Sequence, residues 1–168
     1  MILISPKDGG KMEIKIKSIL CPTDFSECAE HALAYARLLS EICHARLQLL
    51  AVFEPFTYSQ GSELFESQYD MANAAMEIEA AFKKQLNDRV TSLKSKVDTI
   101  SGNVVVGIPF MEIIHAAKEL NSDMIIMGTH GRTGLQHVLM GSVAEKVVRR
   151  APCPVLTVKH PDHEFKMP

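Results

Sequence analysis

Five short apolar runs alternate with stretches of helical spacing along this chain of 168 residues. The first run, Ile14 to Cys21, stops at Pro22, and the second covers Leu47 to Phe53. The third is Val104-Val105-Val106, ended by Gly107; the fourth is Met124 to Met127; the fifth is Val155 to Val158, preceded by Pro152 and Pro154. Apolar runs without alternation are the mark of strands buried on both faces. Their short length, β-branching and flanking Gly or Pro favour strand over buried helix.

Four helices are expected between the runs. Helix one spans about Ser26 to His44, with its apolar stripe on Ala29, Ala32, Leu33, Ala36, Leu39 and Cys43. Those positions recur at threes and fours, as a single buried helix face requires. Asp24 and Ser26 offer N-caps, and Glu27 and Glu30 suit the positive first turn. Helix two runs from about Asp70 to Val97, burying Phe82, Leu86, Val90, Leu93 and Val97. Helix three opens at Pro109, a residue favoured in the first turn, and turns Phe110, Ile113, Ile114, Ala117 and Leu120 inward. Helix four starts at Ser142, where Ser142 and Glu145 fit a capping box and Val143, Val147 and Val148 form the apolar side.

The order β-α-β-α-β-α-β-α-β predicts an α/β fold with an open parallel sheet, right-handed crossovers and helices on both faces. In such sheets ligands bind beyond the carboxyl ends of the strands, at the topological switch point. The loops at those ends carry Pro22-Thr23-Asp24, Val52 onward, Gly107-Ile108-Pro109 and the stretch Gly128 to Ser142. The polar segment Tyr58 to Tyr69 reads as a connecting loop that could also form a flap.

Composition narrows the partners. With 46% apolar and 23% charged residues, the chain reads as one ordinary globular domain. A net charge of -2 gives no electrostatic reason to expect nucleic acid or an anionic membrane. No apolar run approaches the roughly 18 residues needed to cross a bilayer. The start of the chain lacks the apolar core of a signal peptide, so residues 1–12 are expected to be a flexible extension and 161–168 a tail. Cys21, Cys28, Cys43 and Cys153 form no C-x-x-C pair, which points to reduced thiols in a cytoplasmic protein.

The candidate chemistry lies at the fourth strand's end. Gly128, Gly131, Gly141 and Ser142 fall where that strand hands over to a helix. Free N–H groups and the positive end of the helix dipole make that junction a place for phosphate. The spacing is neither the Walker loop nor the dinucleotide G-x-G-x-x-G. Asp24, at the tip of the first strand, is placed to accept from ribose hydroxyls. The same residues would also serve a turn and helix caps. No catalytic set emerges: His130 lies in the loop, but the sequence places no carboxylate to orient it.

These residues resemble the universal stress protein family, in its ATP-binding branch, over about Lys15 to Lys159. The most specific likeness is G-x2-G-x9-G-[ST], matched by Gly128, Gly131, Gly141 and Ser142; Cys153-Pro154-Val155-Leu156-Thr157-Val158 is also family-like. The resemblance implies a five-stranded sheet of order 3-2-1-4-5 in a Rossmann-like, adenine nucleotide alpha hydrolase-like domain over residues 13–160. It implies that Pro22, Thr23 and Asp24 line the adenine pocket and hold the ribose, and that Val52 reads the adenine edge through its backbone. Gly128, Gly131, Gly141, Ser142 and Val143 would hold phosphates, with Thr129 and Arg132 beside them and Mg2+ bound through the phosphates. A homodimer through the strand at 154–158 is implied as well. Ala51 departs from the family, where many relatives carry His, and is expected to alter adenine packing but not binding.

The resemblance leaves function open in kind. A nucleotide-dependent stress-response regulator or sensor leads. A slow ATPase or nucleotide-dependent transferase, and a module for AMP or a cyclic nucleotide, are the alternatives.

Overall fold

The computed structural model describes residues 15–54, 68–131 and 140–159, and over 68–75 the backbone alone. Its elements are β1 (Ser18–Thr23), α1 (Glu27–Cys43), β2 (Arg46–Phe53), α2 (Gln68–Leu93), β3 (Ile100–Val106), α3 (Pro109–Glu119), β4 (Met124–Gly128), α4 (Ser142–Arg150) and β5 (Val155–Val158). The sheet order is β3-β2-β1-β4-β5, and the recorded pairs are parallel. This is the architecture that the alternating pattern and the family resemblance predict.

Residue parity along the strands sorts the core into two layers. Ile19, Cys21, Leu47, Leu49, Ala51 and Phe53 pack against α1 and α2, through Ala32, Leu33, Ala36, Phe82 and Leu86. Leu20, Leu50, Ile125 and Met127 pack against α3 and α4, through Ile113, Ala117, Ala144 and Val147. Each strand therefore feeds both faces, which is why the runs read as continuously apolar.

The helix ends follow local chemistry. Ser26 caps α1, its side chain accepting from the Ala29 N–H at 3.2 Å. His44 closes the same helix in the left-handed region at φ 53°, its N–H turned back to Glu41 and Ser40. Pro109 opens α3 as expected. In α4 the expected capping box is not formed. Gly141 is the N-cap, there is no side-chain cap, and Ser142 is the first helical residue. Glu145 instead pairs with Arg149 at 2.9 Å, one turn on. Val148 is also exposed where burial was expected, and Ala144 takes its place in the core.

Three elements differ most in extent from the sequence reading. β1 starts at Ser18, not Ile14, and runs through Pro22 to Thr23. Its start is pinned by Asp123, whose Oδ2 accepts from the Lys17 and Ser18 N–H groups at 2.8 and 3.0 Å. β3 extends back to Ile100, through Ser101-Gly102-Asn103. α2 begins at Gln68 and ends at Leu93, so Val97 is buried beyond the helix end. The expected extension over 1–12, the expected tail over 161–168 and the segment from Tyr58 up to 67 lie outside the described residues.

The sheet opens at its centre. β1 pairs with β2 along its whole length, from Ser18↔Arg46 to Thr23↔Ala51. Its pairing with β4 is confined to Ile19↔Met124 and Leu20↔Ile125. Pro22, two residues further, has no N–H with which to extend that ladder. The carboxyl ends of β1 and β4 therefore splay apart at the point where the strand order reverses, and a crevice forms there.

Candidate functional site

That crevice holds a cavity of about 220 Å³. Pro22, Thr23 and Asp24 line it from β1, Val52 from β2, Gly128, Thr129 and Gly131 from β4 and its following turn, and Gly141, Ser142 and Val143 from α4. Every site residue named from the sequence is present except Arg132, which lies outside the described residues. Leu50, Met127, Pro109 and Ile113 add apolar lining; of these, Pro109 alone lies on a loop that the sequence placed at the ligand-binding ends. Strand parity alone would have found Leu50, two residues before Val52.

The turn after β1 is held by its own side chains. Thr23 Oγ1 accepts from the Phe25 N–H at 3.0 Å. Asp24 Oδ1 accepts from the Ser26 N–H at 3.1 Å and from the Ser26 hydroxyl at 2.6 Å. The turn and cap functions of Asp24 and Ser26 are thus real and coexist with the cavity. The other carboxylate oxygen faces Gly131: a Cβ on that glycine would stand 2.6 Å from Asp24 Oδ2. The two loops that sequence reasoning expected to be neighbours do meet.

The three glycines have different reasons to be glycine. Gly131 leaves room for the Asp24 carboxylate. Gly141 passes close to the preceding turn, where a Cβ would sit 3.2 Å from the Thr129 carbonyl oxygen. Gly128 has α1 behind it: a Cβ there would lie 2.8 Å from Cys28 Sγ and 3.0 Å from the Cys28 carbonyl oxygen. Its missing side chain makes room for helix-on-strand packing, while the residue also lines the cavity.

Hydrogen bonding decides which donors face the cavity. The Gly141 N–H is committed to the Thr129 carbonyl at 2.8 Å, so it does not point at a ligand as the sequence suggested. Ser142, Val143 and Ala144 carry the next N–H groups of α4, and the helix has no side-chain cap to take them. Thr129 is buried and busy. Its N–H donates to Val158 at 3.0 Å, its carbonyl receives Gly141, and its hydroxyl lies 3.0 Å from His130 Nδ1. No Lys or Arg is among the described residues lining the cavity.

Ala51 lies on the other side of the sheet. It is fully buried against α1 and α2 with Phe53, while Val52 faces the cavity. The departure at Ala51 therefore does not touch the pocket, contrary to the expectation that it alters adenine packing. The cysteines are free thiols. Burial, with a smaller contribution from Glu30, pushes Cys21 up to about 12, and burial together with Asp123 also raises Cys153. Neither is a thiolate at neutral pH, the form that reacts. Among the described residues no cluster of His, Cys, Asp and Glu could hold a metal ion, and no helix is long and apolar enough to cross a membrane.

The family model described as "Universal stress protein family" matches residues 15–159. The chain belongs to the universal stress protein family. Universal stress protein MJ0577 of Methanocaldococcus jannaschii is 34% identical over 160 residues, 88% of this chain and 98% of its own length. The solved structure of MJ0577 superposes with a TM-score of 0.69 at 30% identity, over 89% of this chain and 99% of that one. Universal stress protein UspA from Lactobacillus plantarum has the same fold, with a TM-score of 0.77 at 24% identity, over 87% and 99% of the two chains. The fold is shared as well by the universal stress protein from Archaeoglobus fulgidus in complex with dAMP, with a TM-score of 0.56 at 20% identity, over 86% and 98%.

Proposed function

We propose that this universal stress protein binds ATP in the β1–β4 crevice and acts in the cytoplasm as a nucleotide-dependent regulator or sensor in the stress response. One observation carries the reading: α4 starts uncapped at a glycine, on the wall of the same cavity that receives the Asp24 carboxylate. The first N–H groups of that helix and its positive dipole end suit phosphate. A carboxylate at the opposite strand tip suits ribose hydroxyls, and the apolar floor of Leu50, Val52, Met127 and Ile113 suits a base. The cavity thus offers the three chemistries that a nucleotide presents.

The donor set also bears on Mg2+. The described lining brings no cationic side chain and no preformed carboxylate cage to the phosphate end. Mg2+ fits such a site when it is held mainly by phosphate oxygens and water, and bound so it would neutralise the phosphates. At most slow hydrolysis is expected, since no Lys or Arg among the described residues lining the cavity can stabilise charge on a transferring phosphoryl group.

Denaturing the purified protein and identifying released nucleotide tests the ligand class, and titration with ATP, AMP and cyclic AMP tests its identity. ATP is expected to be recovered and to bind more tightly than the other two. Equal or tighter binding of AMP or cyclic AMP would replace the triphosphate reading with a monophosphate-binding module. No adenine nucleotide binding at all would sink the assignment of the cleft.

The β5 edge supports a second part of the proposal, a homodimer in which these strands pair across a two-fold axis. β5 has one recorded neighbour, β4, and Leu156 on it is 37% exposed. An unprotected apolar edge strand is a pairing template. Light scattering is expected to give the mass of two chains at micromolar concentration; the mass of one chain there would remove the claim.

A further inference from the structure

Phe25, immediately after Asp24, has φ 64°. That left-handed conformation is rare for a bulky residue and costs free energy, so it persists only where the surroundings over-determine it. The Thr23 and Asp24 side chains bond to the N–H groups on either side of it, but those bonds would serve a glycine equally well. The phenyl ring explains the rest. It meets Phe82 of α2 edge-on, with ring centroids 5.3 Å apart and planes at 74°. On α2 the Arg89 guanidinium carbon stands 4.8 Å from the ring centroid of Phe25. Arg89 is itself fixed, donating from Nε to Glu30 of α1 at 2.6 Å and from Nη1 to the Gln85 carbonyl at 3.2 Å. Phe82 also packs on Phe53, at 5.8 Å, and Phe53 directly follows Val52. One helix outside the cavity thus grips the residues next to Asp24 and next to Val52.

We propose that Phe25, clamped between Phe82 and Arg89, is a positioning residue that aims the Asp24 carboxylate and so sets how strongly the cleft discriminates for ribose hydroxyls. The proposal rests on reading the cleft as a nucleotide site. Without the clamp, Phe25 relaxes toward negative φ. That rotation swings the Asp24–Phe25 peptide and carries the carboxylate away from its place beside Gly131. The base floor and the α4 N-terminus are untouched by it, so affinity for the rest of the nucleotide is retained.

The test compares ATP with 2′,3′-dideoxy-ATP, which lacks both hydroxyls, by calorimetry on the full chain. The parent is expected to prefer ATP by about tenfold, the value of one charge-assisted hydrogen bond. Phe25→Ala and Arg89→Ala are expected to bring that ratio close to one, whereas Phe25→Tyr, which keeps the ring, and Phe25→Gly, which holds positive φ without strain, are expected to keep it. Should Phe25→Ala fail to show a cooperative melt, Arg89→Ala decides alone. A ratio unchanged in Arg89→Ala overturns the proposal, as does a loss of affinity shared equally by both nucleotides, which would mark a purely structural role. A parent that binds ATP without preferring it over the dideoxy analogue removes the ribose contact and the proposal with it. A parent that binds neither nucleotide overturns the reading of the cleft itself.

Discussion

Asp24→Asn is expected to weaken ATP binding by about 10- to 100-fold, the range of a hydrogen bond to a charged group, while leaving the melting transition nearly unchanged. Asparagine keeps an Oδ1 acceptor for the Ser26 N–H and hydroxyl, so the turn before α1 survives. It loses the charge that strengthens bonds from ribose hydroxyls. Asp24→Ala removes both functions and is expected to destabilise the fold as well, by about 1 kcal/mol for the lost turn bonds. The contrast separates ligand contact from turn structure, which share one side chain here. Titration calorimetry and thermal melts on the two variants provide the measurement. Parent-like affinity in both would mean that Asp24 serves the turn alone.

Gly131→Val should reach the same loss by another route. A Cβ at 131 would stand 2.6 Å from Asp24 Oδ2, so the carboxylate must rotate away from the cleft. Gly131 is exposed, so the cost falls on binding rather than on packing. Because both substitutions act on the same carboxylate, their effects on affinity should not add. An additive double variant would show that Gly131 serves the ligand independently of Asp24.

The fold was legible because the core is two-layered: β1, β2 and β4 feed both faces and leave an unbroken apolar signature. β3 escaped at its start because Ser101-Gly102-Asn103 is composed like a turn. Gly102 is held in the sheet by α2, where a Cβ would meet Val90 at 2.9 Å and Leu86 at 3.0 Å. Such packing is set by a distant helix and leaves no local signal. The site's residue types could be read from the chain, but the division of labour among them could not. Spacing placed Gly141 and Ser142 at the helix start but could not tell which peptide N–H is spent on Thr129. It marked Asp24 and passed over Phe25, whose positive φ no motif announces. The family comparison tied Ala51 to adenine packing, but it and Val52 are successive strand residues and face opposite sides of the sheet.

Helix packing and ligand approach are both open to Gly128, and Gly128→Ala should separate them. The new methyl would lie 2.8 Å from Cys28 Sγ and 3.0 Å from the Cys28 carbonyl oxygen, both on α1. A thiol can rotate, but a helix carbonyl cannot without moving the helix. The expected cost is the about 1–3 kcal/mol of an overpacked core, which lowers the melting temperature by about 2–12 °C in a chain of this size. Adding Cys28→Ala removes the sulfur contact and leaves the carbonyl contact, so the double variant should recover part of the loss and not all of it. A phosphate-approach role predicts the opposite pattern: weakened ATP binding, an unchanged melt and no rescue from position 28. Melting curves and ATP titrations on the single and double variants therefore assign this glycine to helix packing or to ligand approach.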